Sequence, residues 1–274
     1  MKGWGWNNMK ELKTQQTAEI SASPSKLKPI VTSLLVLLLV LGSSWQIGFS
    51  FTELIHGLPN MWDLIVQLVP PDWAYFSVIT SPLLETIRMA IIGTTIGGII
   101  AFPLSILAAR NVFHSIWITV PARFILNLIR TLPELLLAAL FVAVFGIGPI
   151  PGIFALTLFS LGIIAKLFYE SVESIDPGPM EAMTAVGANK IKWIFFGVVP
   201  QVMASFTSFF LYTFEINIRA AAVLGLVGAG GIGLYYEQTL GFLDYGKTAS
   251  IIMYTLIVVL LIDYLSTKIR EKLT

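Results

Sequence analysis

This chain has no cysteine, only two histidines and very little charge. Without cysteine there is no disulfide frame, no thiolate metal site and no cysteine nucleophile. His56 and His114 stand far apart, so no metal site is expected. Charged residues make up 12% of the chain, against about 25% in ordinary soluble domains. A soluble reading of 274 residues at 56% hydrophobic would demand a core larger than that length can enclose. With a mean hydropathy of +0.82, the composition describes an integral membrane protein, all α-helical in its spans. The net charge of +1 implies no nucleic-acid partner, and the placing of the charges matters more than their sum.

Residues 1–29 are polar and carry Lys2, Lys10, Lys13, Lys26 and Lys28. An apolar run follows, read as a first transmembrane helix over 30–48. A secretory signal is the alternative, but the polar region before it is long and no small-x-small cleavage site follows cleanly. Residues 49–82 hold no Lys or Arg and read as an amphipathic segment near a surface, with Trp62, Trp73 and Tyr75 as an aromatic belt. A five-helix core is expected over 83–268. Its spans are about Leu83 to Ala109, interrupted by Gly97-Gly98 and Pro103, then Pro133 to Ile147, Ile153 to Tyr169, Val202 to Leu224 and Thr248 to Tyr264. The apolar pattern before Pro133 reaches back to Ile116, which suggests a tilted amphipathic helix leading into that span. Residues 269–274 form a short tail.

Six spans of about 20 residues suit a hydrocarbon core about 30 Å thick. The N-terminal tail, the Arg110–Arg130 segment, the loop with Lys190 and Lys192, and the C-terminal tail are rich in Lys and Arg, whereas the alternate connections carry almost none apart from Lys247. The positive-inside rule then puts both termini and the loop 176–200 in the cytoplasm.

Two motif matches are set aside. Gly241-x-x-x-x-Gly246-Lys247-Thr248 fits the phosphate-cradling pattern, but it abuts a span and has no α/β domain around it. Gly228-Ala-Gly230-Gly-Ile-Gly233 fits the dinucleotide fingerprint without a βαβ unit. Glycines there let helices approach closely or line a cavity with broken backbone.

Charges inside a membrane face a cavity or one another. Glu215 and Arg219 lie four apart, on one helix face. They form either a self-neutralising pair, or a site where Arg219, with Asn217 or nearby backbone N–H groups, meets an anionic substrate. Counting from Pro200, a straight helix carries Arg219 roughly 27 Å toward the outer side, at the mouth of a pathway rather than its middle. Glu85 and Arg88 are expected to pair near the outer interface. Lys166 and Arg130 are expected near inner ends, where they snorkel to water.

The loop 176–200 opens on Asp176-Pro177-Gly178-Pro179 and closes on Pro200. The prolines suit a helix start, and Glu181 in the first turn suits the helix dipole. Gly187 ends that short helix or lets another surface come close. As chemistry alone, the segment is either a helix lying on lipid or a docking helix for a partner.

Glu181-Ala182-Met183, then Gly187, then Pro200 resembles the EAA loop of bacterial ABC importer permeases. Met183 stands for the second Ala of that motif, Gly197 for its Ile and Val199 for its Leu. Pro82–Arg88, Leu104–Asn111, Asn127–Glu134 and Phe214–Gly233 look like the phosphonate-permease subfamily, a resemblance covering about residues 80–270.

The resemblance implies a type I ABC importer permease of the methionine-permease kind, with six transmembrane helices, in a bacterial inner membrane. It implies a homodimer with two cytoplasmic ATPase subunits and an extracytoplasmic binding protein. ATP and Mg would sit on the ATPase, with no cofactor or metal on this chain and no covalent chemistry. Glu181, Ala182, Met183, Val186, Gly187 and Ala188 would couple to the ATPase. Glu215, Asn217, Arg219, Gly225, Gly228 and Gly230 would belong to the substrate pathway. The expected cargo is a phosphonate, with phosphite, phosphate or methionine as alternatives. A membrane scaffold or enzyme without an ATPase partner is the reading from a different class.

Overall fold

The computed structural model describes residues 27–272. The expected N-terminal lysines at positions 2, 10, 13 and 26 lie outside the described residues. Among the described residues there are helices and turns but no strand. The chain divides into two compact units, Met1–Asp63 and Leu64–Thr274.

In the first unit, α1 (Leu27–Ile47) is a continuous apolar helix of 21 residues, about 31 Å long and so matched to a bilayer core. The amphipathic α2 (Phe51–Gln67) begins there and runs over the boundary.

The second unit is built on α3 (Tyr75–Ala108). This helix starts earlier than the apolar pattern suggests and runs unbroken through Gly97, Gly98 and Pro103, where an interruption is expected from sequence. The glycines serve packing instead. A Cβ on Gly93 would lie 2.6 Å from Leu156 Cβ, and one on Gly97 2.6 Å from Ser160 Cβ. They form a small-xxx-small face on which α6 (Pro149–Glu173) lies at backbone contact.

Helices α4 (Ile116–Thr131) and α5 (Glu134–Phe145) meet at an 87° bend. Pro133 enforces the break: it lacks an N–H, and it holds Leu132 extended. At 12 residues α5 is only about 18 Å long, so α4 and α5 together count as one broken span. The expected tilt is thus close to a right angle.

A helical turn at Lys190–Lys192 and a π-helical turn at Trp193–Val198 lead without a gap into α8 (Val199–Leu224); the preceding short helix α7 (Gly178–Ala185) is described below. After a glycine-rich connector come α9 (Ile232–Gly241), absent from the sequence reading, and α10 (Tyr245–Glu271). Among the described residues five helices, or six with the bent pair counted as one, are long and apolar enough to cross a membrane.

The core holds these helices by interlocked apolar residues. Phe102, Phe168 and Phe206 pack at 4.9 to 5.3 Å between ring centres, Phe102 stacked on Phe168 and both meeting Phe206 edge to face, joining α3, α6 and α8. At one end of the unit, here termed the basic end, Arg123 pairs with Glu173 and donates from Nε to the Ala108 carbonyl. Arg130 is not at that end. Its backbone lies against Gly162, midway along α6, because α4 runs back along α6 from Arg123 at Glu173 toward that point.

Candidate functional site

Three features carry the functional argument: the loop at the basic end, an ion cluster at mid-bundle, and the glycine connector.

The loop is a folded unit. Asp176 Oδ1 accepts the Gly178 N–H at 2.9 Å, and Pro177 and Pro179 preset the first turn of α7. The helix ends in a Schellman motif: the Gly187 N–H reaches the Thr184 carbonyl at 3.0 Å and the Ala188 N–H reaches the Met183 carbonyl at 3.0 Å. Gly187 has φ +71°, a conformation that disfavours a Cβ, and nothing lies within 4 Å of where its Cβ would be. Trp193 Nε1 donates to the Met180 carbonyl at 2.9 Å and to Thr184 Oγ1 at 3.2 Å. Met180 is buried against Phe168, Val172 and Val198, and Asn189 caps the next turn by accepting the Lys192 N–H. The inner face of α7 is thereby fixed. Its outer face presents Glu181, Ala182, Val186 and Gly187 to the outside, Val186 at 77% exposure, with Met183 and Ala188 half-buried at the edge. Val186 and Gly187 are thus left exposed side by side on a rigid support.

The expected Glu215–Arg219 pair is present, at 2.6 Å. A third member is added from far along the chain: Arg270 Nη2 meets the other carboxylate oxygen of Glu215 at 3.3 Å. Glu215 is 7% exposed, and two guanidiniums offset the cost of burying its charge. The Arg219 side chain is 50% exposed and lines a groove of about 420 Å³ between α8, α9 and α10, and another of about 270 Å³ beside Glu134.

The cluster lies level with the middles of α3 and α6, and its Arg270 comes from the last turn of α10. Asn217, two residues away and 0% exposed, donates from Nδ2 to Thr94 Oγ1 and to Ser160 Oγ, both at 2.6 Å. Thr94 and Ser160 are central in α3 and α6. Counting from Pro200 misplaced the pair because α8 starts beside the ends of α3 and α6, where Val198 and Val202 pack on Ile106 and Val172. Asn217 therefore ties three helices together in the core.

The expected Glu85–Arg88 pair is replaced by a cap. Glu85 Oε1 accepts the Gly231 N–H at 3.0 Å, and Thr86 Oγ1 accepts the Ile232 N–H at 2.8 Å. A carboxylate and a hydroxyl of α3 thus serve the N-terminus of α9. Lys166 pairs with Glu170. In the connector, a Cβ on Gly225 would lie 2.4 Å from Gly233 Cα, and one on Gly230, at φ +80°, 2.8 Å from the Pro149 backbone. Gly228, at φ +83°, gives its carbonyl to the Gly148 N–H at 2.9 Å. These glycines close a backbone-to-backbone contact. Lys247 pairs with Asp244 at 2.7 Å at the start of α10, as an ordinary surface charge.

Sequence reasoning missed Arg270 as a partner of Glu215, because no local spacing links them. It missed the Glu85–Thr86 cap as well, although two adjacent polar residues in an apolar helix were a usable signal.

The described residues form a bundle of apolar helices with a rigid, exposed loop between two of its candidate spans. Residues 101–273 match the family described as "Binding-protein-dependent transport system inner membrane component". The chain belongs to that family, and it is a component of the inner membrane. It is 36% identical over 233 residues to the phosphite transport system permease protein PtxC of Stutzerimonas stutzeri, covering 85% of each chain. It is 38% identical over 229 residues to the phosphate-import permease protein PhnE of Mycolicibacterium smegmatis, covering 84% of this chain and 43% of that one. The fold matches an inward-facing structure of the MetNI methionine ABC transporter with a TM-score of 0.65 at 22% identity, covering 74% of this chain and 99% of that one.

Proposed function

We propose that this chain is the permease subunit of an ATP-driven importer for a small phosphorus oxyanion, with ATP and Mg held by separate ATPase subunits. The observation that carries the reading is the loop: α7 is braced on its inner face and bare on its outer face, as a docking element for a moving partner must be. The names of PtxC and PhnE, phosphite and phosphate permeases, support the cargo class.

The basic segments put the loop and both termini in the cytoplasm. Two copies of the permease would enclose the pathway, and a binding protein would deliver substrate from outside. ATP-driven closure of the ATPase pair would displace α7 and switch the pathway between inward- and outward-facing states. Glu181, Ala182, Met183, Val186, Gly187 and Ala188 form the docking surface. Arg219 reads substrate charge from its groove while Glu215 aims it. Asn217, Gly225, Gly228 and Gly230 shape the pathway indirectly, by holding the helices that carry this pair.

The test is uptake of phosphite, methylphosphonate and phosphate by the importer reconstituted with its ATPase and binding protein. Gly187→Trp and Glu181→Lys are expected to abolish uptake while the permease still inserts and folds. Normal uptake by Gly187→Trp would sink the docking role. Arg219→Gln is expected to cut uptake about tenfold or more, the loss of one charge-assisted hydrogen bond. Full uptake would leave Arg219 and Glu215 as a structural pair.

A further inference from the structure

Lys190 joins two segments that the chain keeps far apart. Its ammonium donates to the Val112 carbonyl at 2.5 Å, stands 4.0 Å above the Trp193 ring and lies 5.4 Å from the Phe113 ring centre. Trp193 is the residue whose Nε1 grips α7 at Met180 and Thr184. Val112 and Phe113 belong to the connection between α3 and α4. That connection is itself fixed to α6: Asn111 Nδ2 donates to the Val172 carbonyl at 2.6 Å, and the Arg110 N–H donates to Glu173 Oε1 at 2.8 Å.

Lys190 is not needed to fold the loop. Asp176, the Schellman turn, the Asn189 cap, the Trp193 bonds and the burial of Met180 hold α7 without it. Among the described residues, the Lys190–Val112 bond is the one hydrogen bond between the segment 176–201 and the connection 109–115. The remaining contact there is apolar packing, which is non-directional and permits sliding. A charged hydrogen bond flanked by two rings fixes both distance and direction.

We propose that Lys190 is a positioning residue for transport: it makes α7 and the α3–α4 connection move as one body, so that displacement of α7 reaches α3 and α4 as well as α8. The proposal rests on the docking reading of α7. Without Lys190, α7 would still bind its ATPase, but its motion would pass to α6 and α8 only through non-directional apolar packing.

The experiment compares the unaltered importer with Lys190→Met and Lys190→Arg in proteoliposomes, scoring substrate imported per ATP hydrolysed on whichever of phosphite, methylphosphonate or phosphate the unaltered importer carries best. Co-purification of the ATPase is measured in parallel. Lys190→Met is expected to lower import per ATP about tenfold, in line with the loss of a strong charge-assisted bond, with ATPase co-purification unchanged. Lys190→Arg, which keeps the donor and the ring contacts, is expected to restore it. An unchanged ratio in Lys190→Met would overturn the proposal. Loss of ATPase co-purification would overturn it too, since Lys190 would then hold the dock itself. If the unaltered permease neither binds an ATPase nor imports any of the three, the docking reading fails, which is a separate outcome.

Discussion

A Cβ built on Gly187 would meet nothing within 4 Å, whereas one built on Gly225 would lie 2.4 Å from Gly233 Cα. The first glycine belongs to the loop at the basic end, the second to the connector before α9. In the loop, glycine is required by a left-handed turn, and the space around it is left open. In the connector, and in the α3–α6 contact, glycine is required because another backbone occupies the place of a side chain. The same residue thus marks an open surface in one region and a closed interior in the other. The difference is physical. An exposed helix end needs glycine only for the turn of its own backbone, while a membrane bundle gains its stability from close backbone approach.

Four substitutions would break or sharpen this contrast. The largest effect on stability is expected for Asn217→Asp. The Thr94 and Ser160 hydroxyls already donate to the Ala90 and Leu156 carbonyls, so a carboxylate there would be buried without a donor. A loss of roughly 3 kcal/mol or more is expected, read as a fall in the thermal midpoint of the detergent-purified protein. Gly97→Leu comes next. Forcing a side chain between α3 and the Thr157–Ser160 turn is expected to cost about 1–3 kcal/mol and to lower the yield of folded permease. Should Gly97→Leu prove as stable as the parent, the interior reading of that glycine is wrong.

Gly187→Ala is expected to cost only about 1 kcal/mol, from the left-handed backbone alone, with no change in the fold of the spans by circular dichroism. Its effect on uptake should exceed its effect on stability, the reverse of Gly97→Leu. The smallest effect is expected at Asp244, which caps α10 through the Lys247 N–H. Its hydrogen bond from the Lys247 ammonium holds the carboxyl below its ordinary value of 3.8. Because the folded value is the lower one, the stabilisation is complete above the ordinary carboxylate range and is lost as pH falls through the folded value. Asp244→Asn should flatten that small acid-side slope in unfolding measured against pH. An unaltered slope would remove the cap from the account.

The loop was legible because its signals are local. Proline at a helix start, an acid in the first turn and a glycine just past the end are near-neighbour rules, and α7 obeys all of them. The spans were legible because apolar length against bilayer thickness is also a one-dimensional quantity. What misled was distance counted along a single helix. Arg219 came out near a mouth because Pro200 was taken as the membrane edge, and Arg130 came out near an end because the span was taken to start at Pro133. Neither the place where α4 lies along α6 nor the level at which α8 starts is written in any one stretch.

The sequence by itself therefore determined that this is an α-helical membrane protein, where its basic segments fall, and where the short helix between Asp176 and Gly187 begins and ends. Each of these follows from composition, charge bias or near-neighbour spacing. Only the tertiary structure decided that Gly93 and Gly97 bring α3 onto α6, that Glu85 caps α9, that Arg270 completes the Glu215–Arg219 cluster, and that Lys190 bonds to Val112. These contacts join residues 55 to 146 positions apart, or 63 to 78 for the packed glycines and Lys190. Such pairings are set by how whole helices pack and cross, and a stretch of chain taken singly carries no record of them.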